Sequence, residues 1–305
     1  MDTAEAAIAG LFGSKKSGGA AFTFSADGKF QYPENVTVPK TVTSIVDSQL
    51  SFRYHSEIKS IDFESRDADI TFAANAFGNC TGLEEFSFPN RTIHPSSGMF
   101  SSCSSLARLN FPTGAALSID RYSGSAFAYT PLPQSEFEKI LNHNVSTNLA
   151  SAMFRGCSGI TSVAYPDSIT DESGSMNTFR ECSNLVSIDF NNVTAIGNST
   201  FSESTSLRTV IFRKVVTCPN WAASNANNPF YGCTAIEDIQ LPSGWTESFL
   251  VFTNSLTHDS MVAMFTNLYD YTGGTAHGLT LGATNLARLS EAEKAVATAK
   301  NWVLA

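Results

Sequence analysis

The run Phe77-Gly78-Asn79-Cys80-Thr81-Gly82-Leu83-Glu84-Glu85-Phe86-Ser87-Phe88-Pro89 places Cys three residues after Phe and Leu three residues after Cys, then closes a short alternating stretch with Pro. The phrase F-x-x-C-x-x-[LI] returns at Phe100/Cys103/Leu106, Phe154/Cys157/Ile160, Phe179/Cys182/Leu185 and Phe230/Cys233/Ile236. Degenerate copies fall in phase at Phe52/His55/Ile58, Phe127/Thr130/Leu132 and Phe201/Ser204/Leu207. The Phe anchors at 52, 77, 100, 127, 154, 179, 201 and 230 are therefore spaced by 25, 23, 27, 27, 25, 22 and 29 residues. A recurring period of that size marks units that stack, because no single unit can bury its own apolar face.

After each Leu or Ile the sequence alternates, as in Arg108-Leu109-Asn110-Phe111-Pro112, Ser162-Val163-Ala164-Tyr165-Pro166, Ser187-Ile188-Asp189-Phe190 and Asp238-Ile239-Gln240-Leu241-Pro242. A period of two over so few residues predicts a short strand with one buried face. Proline, lacking an amide hydrogen, closes it. Stacked at the inter-strand spacing, eight units predict one parallel sheet roughly 35 to 40 Å long. The Phe and Cys positions would line its interior, so most of the 23 phenylalanines read as core plugs rather than as an aromatic ligand site.

These residues resemble the BspA-like subfamily of leucine-rich repeats, whose units run from a Val-rich strand through Pro and a V-T-S-I phrase to F-x-x-C-x-x-L. Val36-Thr37-Val38-Pro39-Lys40-Thr41-Val42-Thr43-Ser44-Ile45 matches that opening, and Asn192-Val193-Thr194-Ala195-Ile196-Gly197 repeats it ahead of Phe201. The likeness covers about residues 36 to 250. It implies an α+β repeat fold, a right-handed leucine-rich-repeat solenoid with a parallel β-sheet, and roles in adhesion and surface recognition.

A solenoid needs caps over its open ends. Ala21 to Ser25, Asp27-Gly28 and Lys29 to Tyr32 predict an N-terminal hairpin with a tight turn. An α/β C-terminal cap is expected in three pieces: a helix from Thr257 to Leu268 with Met261, Met264, Phe265 and Leu268 on its packed face, a strand at Leu279 to Gly282, and a second helix opening at Ser290-Glu291-Ala292-Glu293. Leu132 to Leu141 reads as a short helix replacing an irregular return loop. The domain plan is then a docking segment and linker (1–19), an N-terminal cap with a partial repeat (20–50), the repeats (51–250) and the C-terminal cap (251–305). Phrases in the C-terminal part are similar to the ends of repeat proteins from gut Bacteroidetes and the phages that infect them.

With 19 basic and 28 acidic residues the chain carries a net charge of -9, which repels phosphate backbones and argues against nucleic acid as a partner. Ala6 to Phe12, behind Asp2 and Glu5, is too short to span a bilayer and wrongly flanked for an export signal. No signal peptide and no membrane span are expected. The histidines at 55, 94, 143, 258 and 277 form no zinc motif, the repeat cysteines occupy equivalent interior positions with no base beside them, and no phosphate-binding loop or nucleophile elbow is present. No catalytic, metal or cofactor site is predicted.

The strand residues that alternate with the buried ones form the candidate ligand face: Ser60, Asp62, Glu85, Ser87, Arg108, Asn110, Ser162, Ser187, Asp189, Thr209, Asp238 and Gln240. So small and polar a stripe suits a protein or glycan on a cell surface. The expected function is a non-catalytic binding protein, carried on a phage virion as an associated or fibre protein for host recognition, with residues 1–13 docking to the particle. Its alternative is an exported bacterial cell-surface adhesin.

Overall fold

The computed structural model describes residues 23–24, 30–45, 52–218 and 221–305, with the backbone alone at 23, 24, 30 and 31. The predicted docking segment, its linker and the Asp27-Gly28 turn lie outside the described residues. The flanks of that turn, Thr23–Phe24 and Phe30–Gln31, pair antiparallel as a hairpin requires. The chain divides into two compact units, one ending at Ser146 and the other beginning at Thr147.

Every F-x-x-C-x-x-[LI] phrase closes a turn from Cys back to Phe, and those at Phe77, Phe100 and Phe179 close a second from Leu back to Cys. In the unit quoted above, the Cys80 amide donates to the Phe77 carbonyl at 3.2 Å and the Leu83 amide to the Cys80 carbonyl at 3.0 Å. These are hydrogen-bonded β-turns, and Phe77, Cys80 and Leu83 are all buried in the core. The residue two after each Phe takes a left-handed conformation, from Tyr54 (φ 68°) and Asn79 (φ 60°) to Glu181 (φ 64°) and Glu203 (φ 65°).

The Phe rings stack face to face within each unit. Phe52, Phe77, Phe100 and Phe127 follow one another at 5.5, 5.4 and 5.2 Å between ring centroids. Phe154, Phe179, Phe201 and Phe230 do so at 5.5, 5.5 and 5.7 Å. All six cysteines are free and buried. Those in the repeats are more than small hydrophobes. The Cys103 thiol donates to the Phe77 carbonyl of the preceding repeat at 3.0 Å, and Cys80, Cys182 and Cys233 do likewise to Phe52, Phe154 and Phe201 at 2.7, 3.2 and 3.1 Å. Ser204 fills the same place with its hydroxyl, 3.0 Å from the Phe179 carbonyl. The position asks for a compact donor, which Cys meets without the desolvation cost of a stronger polar group.

The alternating stretches form parallel ladders as expected, but as two four-stranded sheets and not one sheet of eight. The first holds Asn35–Val38, Ser60–Phe63, Glu85–Ser87 and Arg108–Asn110, the second Ser162–Ala164, Ser187–Asp189, Thr209–Ile211 and Asp238–Gln240. The expected sheet is interrupted because the chain after Leu132 turns into a helix, Gln134–His143, which buries Phe137, Ile140 and Leu141. That helix follows the Leu of its repeat and so takes the place of a strand, correcting its assignment to a return loop. Two of its side chains also replace the missing strand's hydrogen bonds. Glu136 accepts from the Leu109 amide at 2.8 Å, and the Lys139 ammonium donates to the Leu109 carbonyl at 3.2 Å. An open strand edge is thereby closed.

The second sheet ends the same way. The helix His258–Asn267, capped by Thr257, sets the Ser260 hydroxyl against Ile239, accepting from its amide at 2.9 Å and donating to its carbonyl at 3.4 Å. Met261, Met264, Phe265 and Leu268 are all buried, as the sequence pattern predicts. A three-stranded parallel sheet of Phe249–Leu250, His277–Thr280 and Trp302–Leu304 completes the C-terminal part. Its middle strand starts two residues earlier than predicted, because its register is set by pairing His277 with Trp302 and Leu279 with Leu304. It stops before Gly282, whose φ of 83° leads into an unpredicted short helix, Ala283–Leu286. The helix Glu291–Thr298 opens with the Ser290/Glu293 capping box. Among the described residues no helix is long and apolar enough to cross a membrane.

Candidate ligand-binding face

Strand alternation turns the middle residue of each ladder strand inward and its neighbours outward. In the first unit, register aligns Asn35, Ser60, Glu85 and Arg108 in one row, and pairs Thr37 with Asp62 and Ser87 with Asn110 in a second. In the other unit the rows are Ser162, Ser187, Thr209, Asp238 and Ala164, Asp189, Ile211, Gln240. Asp62, Arg108 and Gln240 are exposed, and Ser60, Glu85, Ser87, Asn110, Ser162, Ser187, Asp189, Thr209 and Asp238 are half-buried.

Neighbouring repeats satisfy most of the charge on these faces. Arg108 donates to Glu85 at 3.0 Å, and the Asn110 amide bridges Glu85 at 2.6 Å and Ser87 at 3.1 Å. Ser60 donates to Asn35 at 2.7 Å, and within a single strand Gln240 donates to Asp238 at 2.8 Å. Arg213 reaches both oxygens of Asp189, with contacts as short as 2.6 Å, and that hydrogen bond holds the Asp189 carboxyl below the usual range. Such pairs fix side-chain positions more than they add stability.

Beside the first face lies a groove of about 530 Å³, lined by Phe63, Ser87, Phe88, Asn110, Phe111, Lys139 and His143. It forms because a helix is about 10 Å across with its side chains while strands sit about 4.8 Å apart. The Gln134–His143 helix, packed at the end of a flat ladder, stands up as a wall. Phe88, Phe111 and His143 continue one another as a stack, at 4.5 and 4.0 Å between centroids. Ser87 and Asn110 belong to the predicted face; Phe63, Phe88, Phe111, Lys139 and His143 do not. By sequence the Phe residues read as core, and Lys139 and His143 matter only once the helix is known to replace a strand. Their spacing of four residues on an amphipathic helix was the one signal available.

The thiols offer no chemistry to a substrate. Burial pushes Cys80 and Cys233 up to about 12, and the backbone carbonyl each touches is no base.

A family model described as a BspA-type leucine-rich repeat region matches the chain in six copies, over residues 29–144 and 125–247. Among solved structures, the chain is similar to a leucine-rich repeat protein from Bacteroides ovatus, at 18% identity and a TM-score of 0.37 over 68% of this chain and 60% of that one. It therefore spans about three fifths of that protein's length. A leucine-rich cell surface protein from Faecalibacterium prausnitzii is 16% identical with a TM-score of 0.31, over 83% of this chain and 93% of that one. A leucine-rich repeat protein of T. pallidum is 16% identical with a TM-score of 0.33, over 63% and 90%. No curated protein matches the chain.

Proposed function

Because the chain belongs to the BspA-type leucine-rich-repeat family, we propose that it is a non-catalytic binding protein whose exposed sheet faces recognise a protein or glycan on a cell surface. The observation that carries this reading is the set of outward rows, polar throughout the first unit and along Ser162, Ser187, Thr209 and Asp238 in the second, held at fixed register by a stacked aromatic core. Rows of small side chains on rigid strands offer many modest hydrogen bonds over a broad area and no enclosed reaction chamber. Their ion pairs are already formed, so a partner would meet an ordered surface and lose little side-chain entropy on binding.

The carrier we propose is a phage particle, with residues 1–13 attaching through the Ser/Gly-rich linker at 14–19. Support comes from the pattern of that segment, an Ala-rich amphipathic stretch ahead of a polar tether. The test has two readouts. Labelled full-length chain should bind intact gut Bacteroidetes cells, and replacing Arg108 and Asp238 together with Ala should reduce that binding; absence of binding to any such cell refutes the face reading. Full-length chain should co-sediment with particles assembled in its presence, whereas chain lacking residues 1–19 should not. Co-sedimentation with host envelope instead would establish the exported adhesin.

A further inference from the structure

Resting on that reading of the sheet faces, we propose that the groove between the first ladder and the Gln134–His143 helix binds an uncharged sugar residue of a surface glycan. Its size of about 530 Å³ is that of a small-ligand site. Its polar groups have identifiable vacant capacity. Both amide hydrogens of Asn110 are spent on Glu85 and Ser87, which leaves its carbonyl oxygen to accept. Ser87 accepts from Asn110 and keeps its own proton to donate. The His143 Nδ1 sits 2.8 Å from the Lys139 carbonyl, which can only accept, so the proton is on Nδ1 and Nε2 remains as an acceptor in the neutral ring. A donor and two acceptors beside half-buried Phe63 and Phe111 match a sugar, whose hydroxyls alternate donor and acceptor roles around an apolar C–H frame.

The charges present exclude an acidic ligand. Lys139, the one cation lining the groove, directs its ammonium to both oxygens of Glu136 at 2.9 Å and to the Leu109 carbonyl at 3.2 Å, so all three of its hydrogens are engaged. Glu85 at the groove's margin is paired with Arg108. The backbone excludes an added peptide strand, since the Leu109 amide and carbonyl that would receive it are taken by Glu136 and Lys139. A ligand must therefore be read by side chains alone.

The full-length chain should be titrated with methyl glycosides of glucose, galactose, mannose and N-acetylglucosamine, and with glucuronic and sialic acids, by saturation-transfer NMR and calorimetry. At least one neutral glycoside should bind, with an affinity unchanged between about 50 and about 500 mM salt. Asn110→Ala and Ser87→Ala should each weaken it by about tenfold, the loss of one good hydrogen bond, while Val296→Ala, exposed on the helix Glu291–Thr298 outside either face, leaves it unchanged. Melting curves of each variant accompany the titration, and because Ser87 is half-buried with one partner, its variant remains informative if the Asn110 variant does not fold. Binding of the acids alone, of no sugar, or of a neutral sugar with equal affinity to both groove variants overturns the proposal. If the wild-type and Ser87→Ala chains bind cells equally, the groove assignment fails while the face reading stands; if neither binds, the face reading fails as well.

Discussion

Replacing Glu172 with Gln should change how the stability of the second unit depends on pH. Glu172 is fully buried, and its Oε1 accepts from the Leu149 amide at 2.6 Å. Its other oxygen has no hydrogen-bond partner, and neither has the buried hydroxyl of Tyr165. Burial pushes the Glu172 carboxyl from 4.5 up to about 8, against the smaller opposing effect of the Leu149 amide. The folded unit thus keeps a proton that the unfolded chain releases. The group's favourable contribution is complete below about pH 4.5, is lost as pH rises towards 8, and changes little beyond that. Between those limits the loss is about 1.4 kcal/mol per pH unit, about 5 kcal/mol across the window and about 3 to 4 kcal/mol between pH 5 and 8.

The amide side chain of the Glu172→Gln variant would keep an acceptor for Leu149 and cannot ionise, so the variant's stability lacks this slope. The assay is urea unfolding from pH 5 to 9, followed by tryptophan fluorescence. The three tryptophans of the chain, Trp221, Trp245 and Trp302, are all buried in the unit beginning at Thr147, so the signal reports the unit that holds Glu172. Ionisation of unfolded cysteines at high pH affects both proteins alike and cancels in the comparison. The stability difference between wild type and variant should move by several kcal/mol across the range. A difference constant to within about 0.5 kcal/mol would show that Glu172 ionises normally in the folded state and refute the reasoning.

Phe179→Ala empties a fully buried plug held between Phe154 and Phe201, each 5.5 Å away, and should cost about 3 to 5 kcal/mol in urea unfolding; a loss under about 1 kcal/mol would mean the position is not core. Glu136→Ala leaves the buried Leu109 amide without its acceptor, so that amide should lose its hydrogen-exchange protection and the first unit about 1 to 3 kcal/mol. None of the six buried thiols should react with a thiol reagent in the folded protein, and all six should react in denaturant; rapid labelling of any one in native buffer would contradict its placement. Deleting residues 1–19 should leave the melting temperature of the remainder nearly unchanged, and a fall of many degrees would make that segment structural.

The repeat was legible because one phrase recurs in phase and is followed by an alternation that reads as a strand with one buried face. The turns within the phrase were not, since apolar residues three apart also share a face of an α-helix. The candidate face followed from alternation alone, which fixes direction without naming partners. Hydrogen bonds between repeats were hidden, because Glu85, Asn110 and Ser87 meet only through the register of separate strands. The division into two ladders was hidden for a related reason. Leu132 to Leu141 showed helical periodicity, but nothing local says that a helix can stand in a strand's place.

That substitution connects stability to the candidate site. A stacked sheet ends in a strand whose outward amide and carbonyl need partners. Both units supply them from a helix, through Glu136 and Lys139 on Leu109 and through Ser260 on Ile239. The consequences differ. In the second unit Phe212 packs against Trp221 and Trp245, at 5.0 and 5.6 Å, and the aromatic column Tyr165, Phe190 and Phe212 is closed. In the first unit the column ends on the smaller ring of His143, and Phe63 and Phe111 stay half-buried. One device for closing an edge therefore yields a filled core where two tryptophans follow it and an open groove where a histidine does, which places the sugar-binding candidate on the unit ending at Ser146.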